Sequence, residues 1–511
     1  MKTENQPILP KGWTWSRLDD IVEETKIGVV RSSSQQNNEG NGVGYIKMNN
    51  ITMDGRVVFD DLVYVSASRD EVNRYGLHKG DILFNTRNSV ELVGKTGLVR
   101  TEVSDVIYNN NIMRLRASKH ISSSYLAFQM CSPIFRERMD KVKRSTTNVA
   151  AIYGKDLLPL PIVLAPFNEQ HRIVAKIEEL FTELDAGVEA LKKVKAQLKR
   201  YRQAVLKHAF ECKLTEAWRE AHRGELEPAS VLLGRIREER AKNVNVGAHS
   251  RAPRARAPRP YDMDTSSLPQ LPESWMWTRV MQLSTKVTDG VHKTPRYVES
   301  GIPFISVNNM SEKGTLSFSP CKYITPEEHA ELCRRCDPEY GDLLLSKVGT
   351  IGLTAVVRTE REFSLFVNTA LIKPIRKSIS PEFLSLSLRY GFSSSLYNSY
   401  ILGSTQKFIG TTSIELLPVP LAPAKEQEVI VEEIERRFSI ADEVEKVVEQ
   451  SLKQAERLRQ SILKRAFEGN LVPQDPNDEP ADKLLERIKH AQINHVGAHS
   501  RAPQRTVQHG K

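Results

Sequence analysis

The chain is poor in cysteine, with five in 511 residues, and aromatic residues make up only 7%. Cys131, Cys212, Cys321, Cys333 and Cys336 are odd in number and unevenly spaced, so they give no sign of a disulfide framework. Long apolar runs are missing, so no transmembrane helix is expected. The start, MKTENQPILPKGW, is polar and lacks the apolar centre of a secretory signal, which makes a cytoplasmic protein the expectation. Catalytic signatures are scarce too. There is no H-E-x-x-H and no nuclease-type carboxylate–lysine cluster. Gly40, Gly42 and Gly44 precede a predicted strand, the wrong order for a dinucleotide or cofactor loop. Asp337-Pro338-Glu339-Tyr340 is one residue away from the [DNS]-P-P-[YF] element of amino-methyltransferases, with glutamate replacing the proline that shapes the turn. Cys333-Arg-Arg-Cys336, near His329 and Cys321, leaves a zinc site open against ordinary reduced thiols.

What the chain does have is basic charge and repetition. Its formal net charge is +10, which favours a polyanionic partner without identifying one. LPKGWTWSRL at 9–18 returns as LPESWMWTRV at 271–280, and GVGYIKMNNIT at 42–52 returns as GIPFISVNNMS at 301–311. KGDILFNTRN from Lys79 matches YGDLLLSKVG from Tyr340. LLPLPIVLAPFNEQ matches LLPVPLAPAKEQ, and from Glu169-Gln170 and Glu426-Gln427 onward the copies stay in register at an offset of 257. They still agree at LKHAF (206–210) and LKRAF (463–467). The protein is a tandem duplication of a unit of about 250 residues.

The first part of each copy is diverged and reads as short strands between turns, for example VGYIKMNNI, GRVVFDDLVYVS and GDILFNT. Short helices are expected at SSYLAFQM and PEFLSLSL. Trp13/Trp15 and Trp275/Trp277 stand two apart, which places each pair on one face of a strand, for core packing or for base stacking. The second part is helical. Ile173, Ile177, Leu180, Leu184, Leu191, Val194, Leu198, Tyr201 and Val205 step by three and four, as do Ile430, Ile434, Ala441, Val448, Ala455, Leu458 and Ile462. Pro166 and Pro423 precede the helices, and Asn168 is an expected N-cap. Heptads over roughly 40 residues predict coiled-coil helices of about 60 Å that pair with each other. EPASVLLGRI (227–236) and EPADKLLERI (479–488) predict a short helix after each long one. VGAHSRAP then appears twice, at 246–253 and 496–503. The first is followed by the basic, proline-rich RARAPRPYDMDTSS, and the composition predicts a disordered linker and tail.

One stretch imitates a nucleotide site. SVELVGKTGLVR, from Ser89, contains Gly94-Lys95-Thr96, but a Walker A loop needs a glycine where Ser89 stands. The second copy reads SKVGTIGLTAVV, so Gly94 and Gly97 match Gly349 and Gly352 while Lys95-Thr96 becomes Thr350-Ile351. The shared feature is a glycine turn between strands, and an ATP site is not supported.

The ordered set of LP-x-x-W-x-W, GD-[IL]-L, LLP-x-P…EQ and a heptad helix ending LK-x-AF, present twice, resembles the specificity subunit of type I restriction–modification systems. The resemblance covers nearly the whole chain, including KLTEAWRE at 213–220. It implies an α+β fold of two tandem target-recognition domains, mainly β in their cores, separated by two long helices in an antiparallel coiled coil with a pseudo-two-fold internal repeat. The expected parts are domain 1 at 1–165, a long helix at 166–212, and a short helix with linker at 213–267. Domain 2 at 268–424, the second long helix at 425–468 and a short helix with tail at 469–511 complete them. Each head would read one half of a split double-stranded DNA sequence. The chain would be non-catalytic and hold no cofactor or metal. Two methyltransferase (modification) subunits would bring S-adenosylmethionine, and restriction/translocase subunits would bring ATP and magnesium.

Candidate DNA contacts are polar residues expected on variable loops. In the first head they are Asn85, Arg87, Asn88, Lys95 and Thr96, with Lys143, Arg144, Ser145, Thr146 and Asn148. In the second they are Ser346, Lys347 and Thr350, with Ser404, Thr405, Gln406 and Lys407. The basic helix face of Lys192, Lys193, Lys195, Lys199, Arg200 and Arg202 reads as a solvated or partner-facing surface before a DNA contact.

Overall fold

A computed structural model of the chain describes residues 8–147, 149–246 and 263–499. The linker expected beyond Val246, the tail beyond His499 and the candidate Asn148 lie largely or wholly outside these residues. Two compact units emerge: residues up to Leu191 with those from Glu449 onward, and residues Lys192–Val448. Each unit therefore combines one head and the start of that head's own long helix with the end of the other copy's long helix.

Both heads are built on the same plan. In the first, an antiparallel sheet runs in the order Val22–Ile27, Ile112–Ala117, Ile82–Asn85, Thr96–Leu98. In the second the order is Ser284–Asp289, Thr369–Pro374, Leu343–Ser346, Thr354–Val356. The repeated end motifs pair with each other. Thr14–Arg17 lies antiparallel to Pro161–Leu164, with Trp15 opposite Val163, and Met276–Arg279 lies on Pro418–Leu421, with Trp277 opposite Pro420. The first and last strands of each head thus close it on itself.

The duplicated GD has a local cause. Gly80 and Gly341 take φ of 92° and 81°, a conformation that glycine adopts without steric cost. Asp81 then accepts from the His78 N–H and Asp342 from the Glu339 N–H, each at 2.9 Å. The second oxygens hold Arg116 and Arg376, each at 2.7 Å. Asp337 of the methyltransferase-like element pairs with Lys286 at 2.7 Å and lies in this same ionic cluster.

Several local expectations are corrected. VGYIKMNNI is a strand only over Val43–Ile46. Asn50 then turns the chain by bonding Lys47 N, Val58 O and Asp61 O, and Asn309 does the same in the second head. GRVVFDDLVYVS forms a strand only over Val63–Val65. The helices expected at SSYLAFQM and PEFLSLSL form over Ser123–Cys131 and Pro381–Ser393.

The long helices are Phe167–Phe210 and Ala424–Phe467, 44 residues each. Pro166 and Pro423 supply the first acceptors, to Gln170 N and Gln427 N. Asn168 is therefore inside the first turn, and its amide reaches Asp478 instead of capping. Within the first unit Ile173, Ile177 and Phe181 pack with Ile462, Leu463, Ala466 and Phe467, and Arg459 bonds Asp185 while lying over the Phe181 ring. Within the second, Val205, Ala209 and Phe210 share a core with Ile430 and Ile434, and Arg202 bonds Asp442 and Glu445 at 2.6 and 2.9 Å. Rising numbers on one helix meet falling numbers on the other, so they run antiparallel. Tyr201 and Leu458, expected in the seam, are exposed, while Arg202 and Arg459 beside them make the inter-helix ion pairs.

Each long helix is fastened to its head by the EQ pair. Glu169 accepts the buried Trp13 indole N–H at 3.0 Å, and Glu426 accepts that of Trp275 at 2.8 Å. Gln170 accepts from Ser122 N and donates to Ala165 O; Gln427 repeats this with Ser380 N and Ala422 O. Trp13 and Trp275 stand one residue before their strands; in the first head both tryptophans pack on the same core cluster, whereas in the second Trp277 donates to Pro269 O. Trp13 is buried on the helix, and Trp15 lies under Arg138.

The short helices are longer than expected, Ala229–Val246 and Ala481–His499, so residues 490–499 are helical where a tail was expected. Ala481, Leu484 and Ile488 join the core of the first head, while Ala229, Leu232 and Ile236 join that of the second. Glu426 is fully buried and ion-paired to Arg219 at 2.7 Å. Glu426→Gln leaves that guanidinium unpaired, and the expected loss is about 3 kcal/mol in denaturant unfolding of the full chain.

Candidate nucleic-acid interface

Strand Ile82–Asn85 leads into a small sheet at one edge of the first head. Arg87–Asn88 pairs with Ala150–Ala151, which pairs with Arg144–Ser145. In the second head Val348 and Leu402 each bridge Phe408, and the Ile409 N–H reaches Lys347 O at 2.9 Å. Two candidate groups about 60 residues apart in sequence are thus brought to one edge of each head. In the first head Arg87–Asn88 and Arg144–Ser145 flank Ala150–Ala151, and in the second the Lys347–Thr350 turn bonds directly to the segment at Lys407 and Ile409.

Burial divides the candidates. Arg87, Arg144, Ser145 and Thr146 are exposed, as are Thr350, Ser404, Thr405, Gln406 and Lys407. Arg144 is held by Asp156 at 2.9 Å and lies over Tyr153. Asn88 is half-buried, and so is Lys143, which bonds Asp140 at 2.6 Å. Asn85, Lys95, Thr96, Ser346 and Lys347 are buried, which corrects the expectation of exposed loop residues: Asn85, Thr96 and Ser346 belong to strands, while Lys95 and Lys347 lie beside them in irregular backbone and are turned inward. Asn85 is a bracket: its amide donates to Arg87 O and Asn111 O and accepts from Asn88 Nδ2. Thr96 opens the last strand of the four-stranded sheet. Ser346 accepts the Leu353 N–H, and Lys347 is paired with buried Asp289.

Lys95 is turned into the head. Its ammonium donates to Met48 O at 2.5 Å, and burial lowers its pKa. The alignment of the turn also changes. Gly94 N bonds Asn85 O and Gly352 N bonds Ser346 O, with φ of 82° and 91°. Gly94 therefore corresponds to Gly352, not Gly349, and Lys95 to Leu353. The first head's turn is three residues longer.

Sequence reasoning missed the apolar and asparagine parts of this edge. Tyr153 and Val149 are exposed beside the first hairpin, and Leu402 and Phe408 beside the second. Asn111 O accepts the Thr86 N–H, and Asn368 O accepts the Lys347 N–H, so these asparagines hold equivalent places. Their spacing of 257, equal to that of the EQ pairs, was the available signal. On the basic helix face, Arg202 is committed to Asp442 and Glu445, and Lys199 lies 3.5 Å from Glu312. Among the described residues no three or more His, Cys, Asp or Glu form a group that could hold a metal. Cys333 instead lies beside His329 on one helix, and His329 bonds Ser364. No described helix is long and apolar enough to cross a membrane.

Fold and edge together define a duplicated, two-headed protein whose heads share a frame and differ at their hairpin tips. The profile of the type I restriction modification DNA specificity domain matches residues 10–200 and again 273–454. The chain belongs to that family. It is 30% identical over 230 residues to the EcoKI specificity subunit of Escherichia coli K12, an alignment spanning 44% of this chain and 48% of that protein. It is 23% identical over 495 residues to the Escherichia coli EcoBI specificity subunit, spanning 93% of this chain and 92% of the other. The fold matches a chain from a structure concerned with complex assembly and conformational transition of the type I R-M system. That match has a TM-score of 0.58 at 19% identity and covers 91% of this chain and all of the other.

Asn85→Ala removes three hydrogen bonds from a fully buried amide. The expected result is a destabilisation of about 2–3 kcal/mol in denaturant unfolding, with faster hydrogen exchange at residues 86–88.

Proposed function

We propose that each head reads one half of a bipartite, asymmetric double-stranded DNA sequence, that the long helices set the spacing between the halves, and that they dock two methyltransferase subunits. The observation that carries this reading is the pair of hairpin edges, attached at the same place in each head and different in side chains. Arg87, Arg144, Ser145 and Thr146 present one chemistry, and Thr350, Ser404, Thr405, Gln406 and Lys407 present another. Arginine and lysine on such an edge position the duplex through phosphates, while hydroxyl and amide groups reach base edges. Tyr153 and Phe408 add apolar surface for contact with bases. The buried candidates act one step back, by fixing the hairpins.

Helices of 44 residues are about 66 Å long at 1.5 Å per residue, which supports a spacer of several unread base pairs. The exposed apolar residues Ile440, Val444 and Val447 on the second helix support docking of a partner there. In this reading the chain performs no chemistry and works in the cytoplasm. S-adenosylmethionine, ATP and magnesium belong to the modification and restriction subunits.

Exchanging residues 12–160 for another first head is expected to change one half of the methylated sequence and leave the other half intact, read by methylome sequencing of cells co-expressing the modification subunit. An unchanged pattern refutes the proposal. Arg87→Ala is expected to weaken DNA binding by the assembled complex about tenfold and to lower the salt slope by about one, measured by fluorescence anisotropy.

A further inference from the structure

Glu169 and Glu426 do the same work for their tryptophans and then part company. Glu426 Oε1 accepts from Thr215 Oγ1 and Arg219 Nη1, both at 2.7 Å, and Arg219 Nη2 reaches Cys212 O at 2.6 Å. At the offset of 257, Thr215 and Arg219 become Val472 and Pro476. The first unit has therefore lost both donors. Glu169 is 1% exposed, and its Oε1 has no hydrogen-bond partner among the described residues. The Gln474 amide approaches the carboxyl but donates to Gly469 O at 2.8 Å.

The orphaned carboxyl lines a cavity of about 450 Å³, together with Lys11, Trp13, Asp475, Asp478 and Asp482. Asp478 is committed to Arg172 at 2.6 Å and Asp475 to the turn at Asn477. Acidic side chains outnumber the one lining cation. Burial raises the Glu169 pKa, against the opposing pull of the Trp13 hydrogen bond and Arg172. An incoming cation would lower it again. A metal ion is a poor fit, since no described cluster supplies three ligating side chains. A guanidinium suits it better: it is planar, always charged, and donates to carboxylate oxygens in a fork. The second unit already shows that fit on the equivalent carboxylate.

We propose that this cavity receives the guanidinium of an arginine side chain from a partner protein, which bonds Glu169 Oε1 as Arg219 bonds Glu426. Gln474, exposed and long, moves aside to admit it. The identification of that partner as a modification subunit rests on the function proposed above; the pocket itself does not.

The test uses the full chain and N-acetyl-arginine amide as probe, followed by ligand-observed NMR. Saturable binding is expected, with at least a tenfold loss in Glu169→Gln and none of it reproduced by the neutral N-acetyl-citrulline amide. Glu169→Gln keeps an acceptor for Trp13, and its thermal melt, expected to equal or exceed that of the parent, separates lost binding from lost folding. Equal binding of the citrulline analogue, or undiminished binding to a folded Glu169→Gln, overturns the proposal. In the complex with methyltransferase subunits the probe is expected to be shut out, and Glu169→Gln to weaken assembly at least tenfold. Undiminished probe binding to the complex, with normal assembly of the variant, would assign the pocket to a free guanidinium compound and overturn the partner arginine. A chain that failed to assemble with any modification subunit would refute the proposed function, while probe binding to the free chain would still decide the pocket.

Discussion

A buried hydrogen bond between an indole and a carboxylate is the joint on which each half of this protein depends. Trp13 enters Glu169, and Trp275 enters Glu426, in the first turn of a 44-residue helix. The glutamine beside each glutamate holds the N-cap of a head helix with one end of its amide and the last head residues with the other. A hydrogen bond to a charged group contributes roughly 1.5–3 kcal/mol. Its larger effect here is geometric. Three separate segments of the head are fixed to one helical turn, so the direction of the helix is set by the head's own fold.

Around that joint the two copies exchange parts. The first long helix begins beneath the first head and ends among residues that pack with the second. The short helix at Ala481–His499 completes the core of the first head, and Ala229–Val246 completes that of the second. Neither copy builds a full core from its own sequence. This explains why resemblance between the copies is sustained past the EQ pair but shrinks to islands before it. The helices must satisfy partners from both copies, while the heads answer mainly to themselves.

The frame was largely legible from the duplication. Motifs that recurred in the same order turned out to be joints: W-x-W and LLP-x-P as a closing strand pair, GD as an ionic bracket, EQ as the helix fastening. Periodicity located the long helices but misplaced Tyr201 and Leu458, because heptad spacing does not reveal where an arginine pair replaces an apolar contact. The candidate edge was less legible. Asn85, Lys95, Thr96, Ser346 and Lys347 are polar, and polarity alone suggested exposed loops. Each instead satisfies buried backbone or ionic partners, which a sequence records only through residues far along the chain. Lys95 bonds Met48 O and Lys347 bonds Asp289, contacts with no local signature.

The shift from Gly349 to Gly352 as the counterpart of Gly94 carries a wider lesson about how the heads diverge. Both glycines bond back to the residue ending the preceding strand, and both need a left-handed backbone; at Gly352 an added Cβ would also meet Phe392 at 2.6 Å. What changed between the copies is the length of the turn before the glycine, by three residues. The chain absorbs such a change because the strands on either side are fixed by the sheet, and a flexible loop pays only a small closure entropy for added length. The hairpins at 144–151 and 402–408 lie beside these turns and vary in the same way. Divergence is therefore concentrated where backbone length and side-chain identity can alter without disturbing the joint at the EQ pair. That division, a fixed fastening and free edges, is what a protein needs if two heads on one frame are to recognise different sequences.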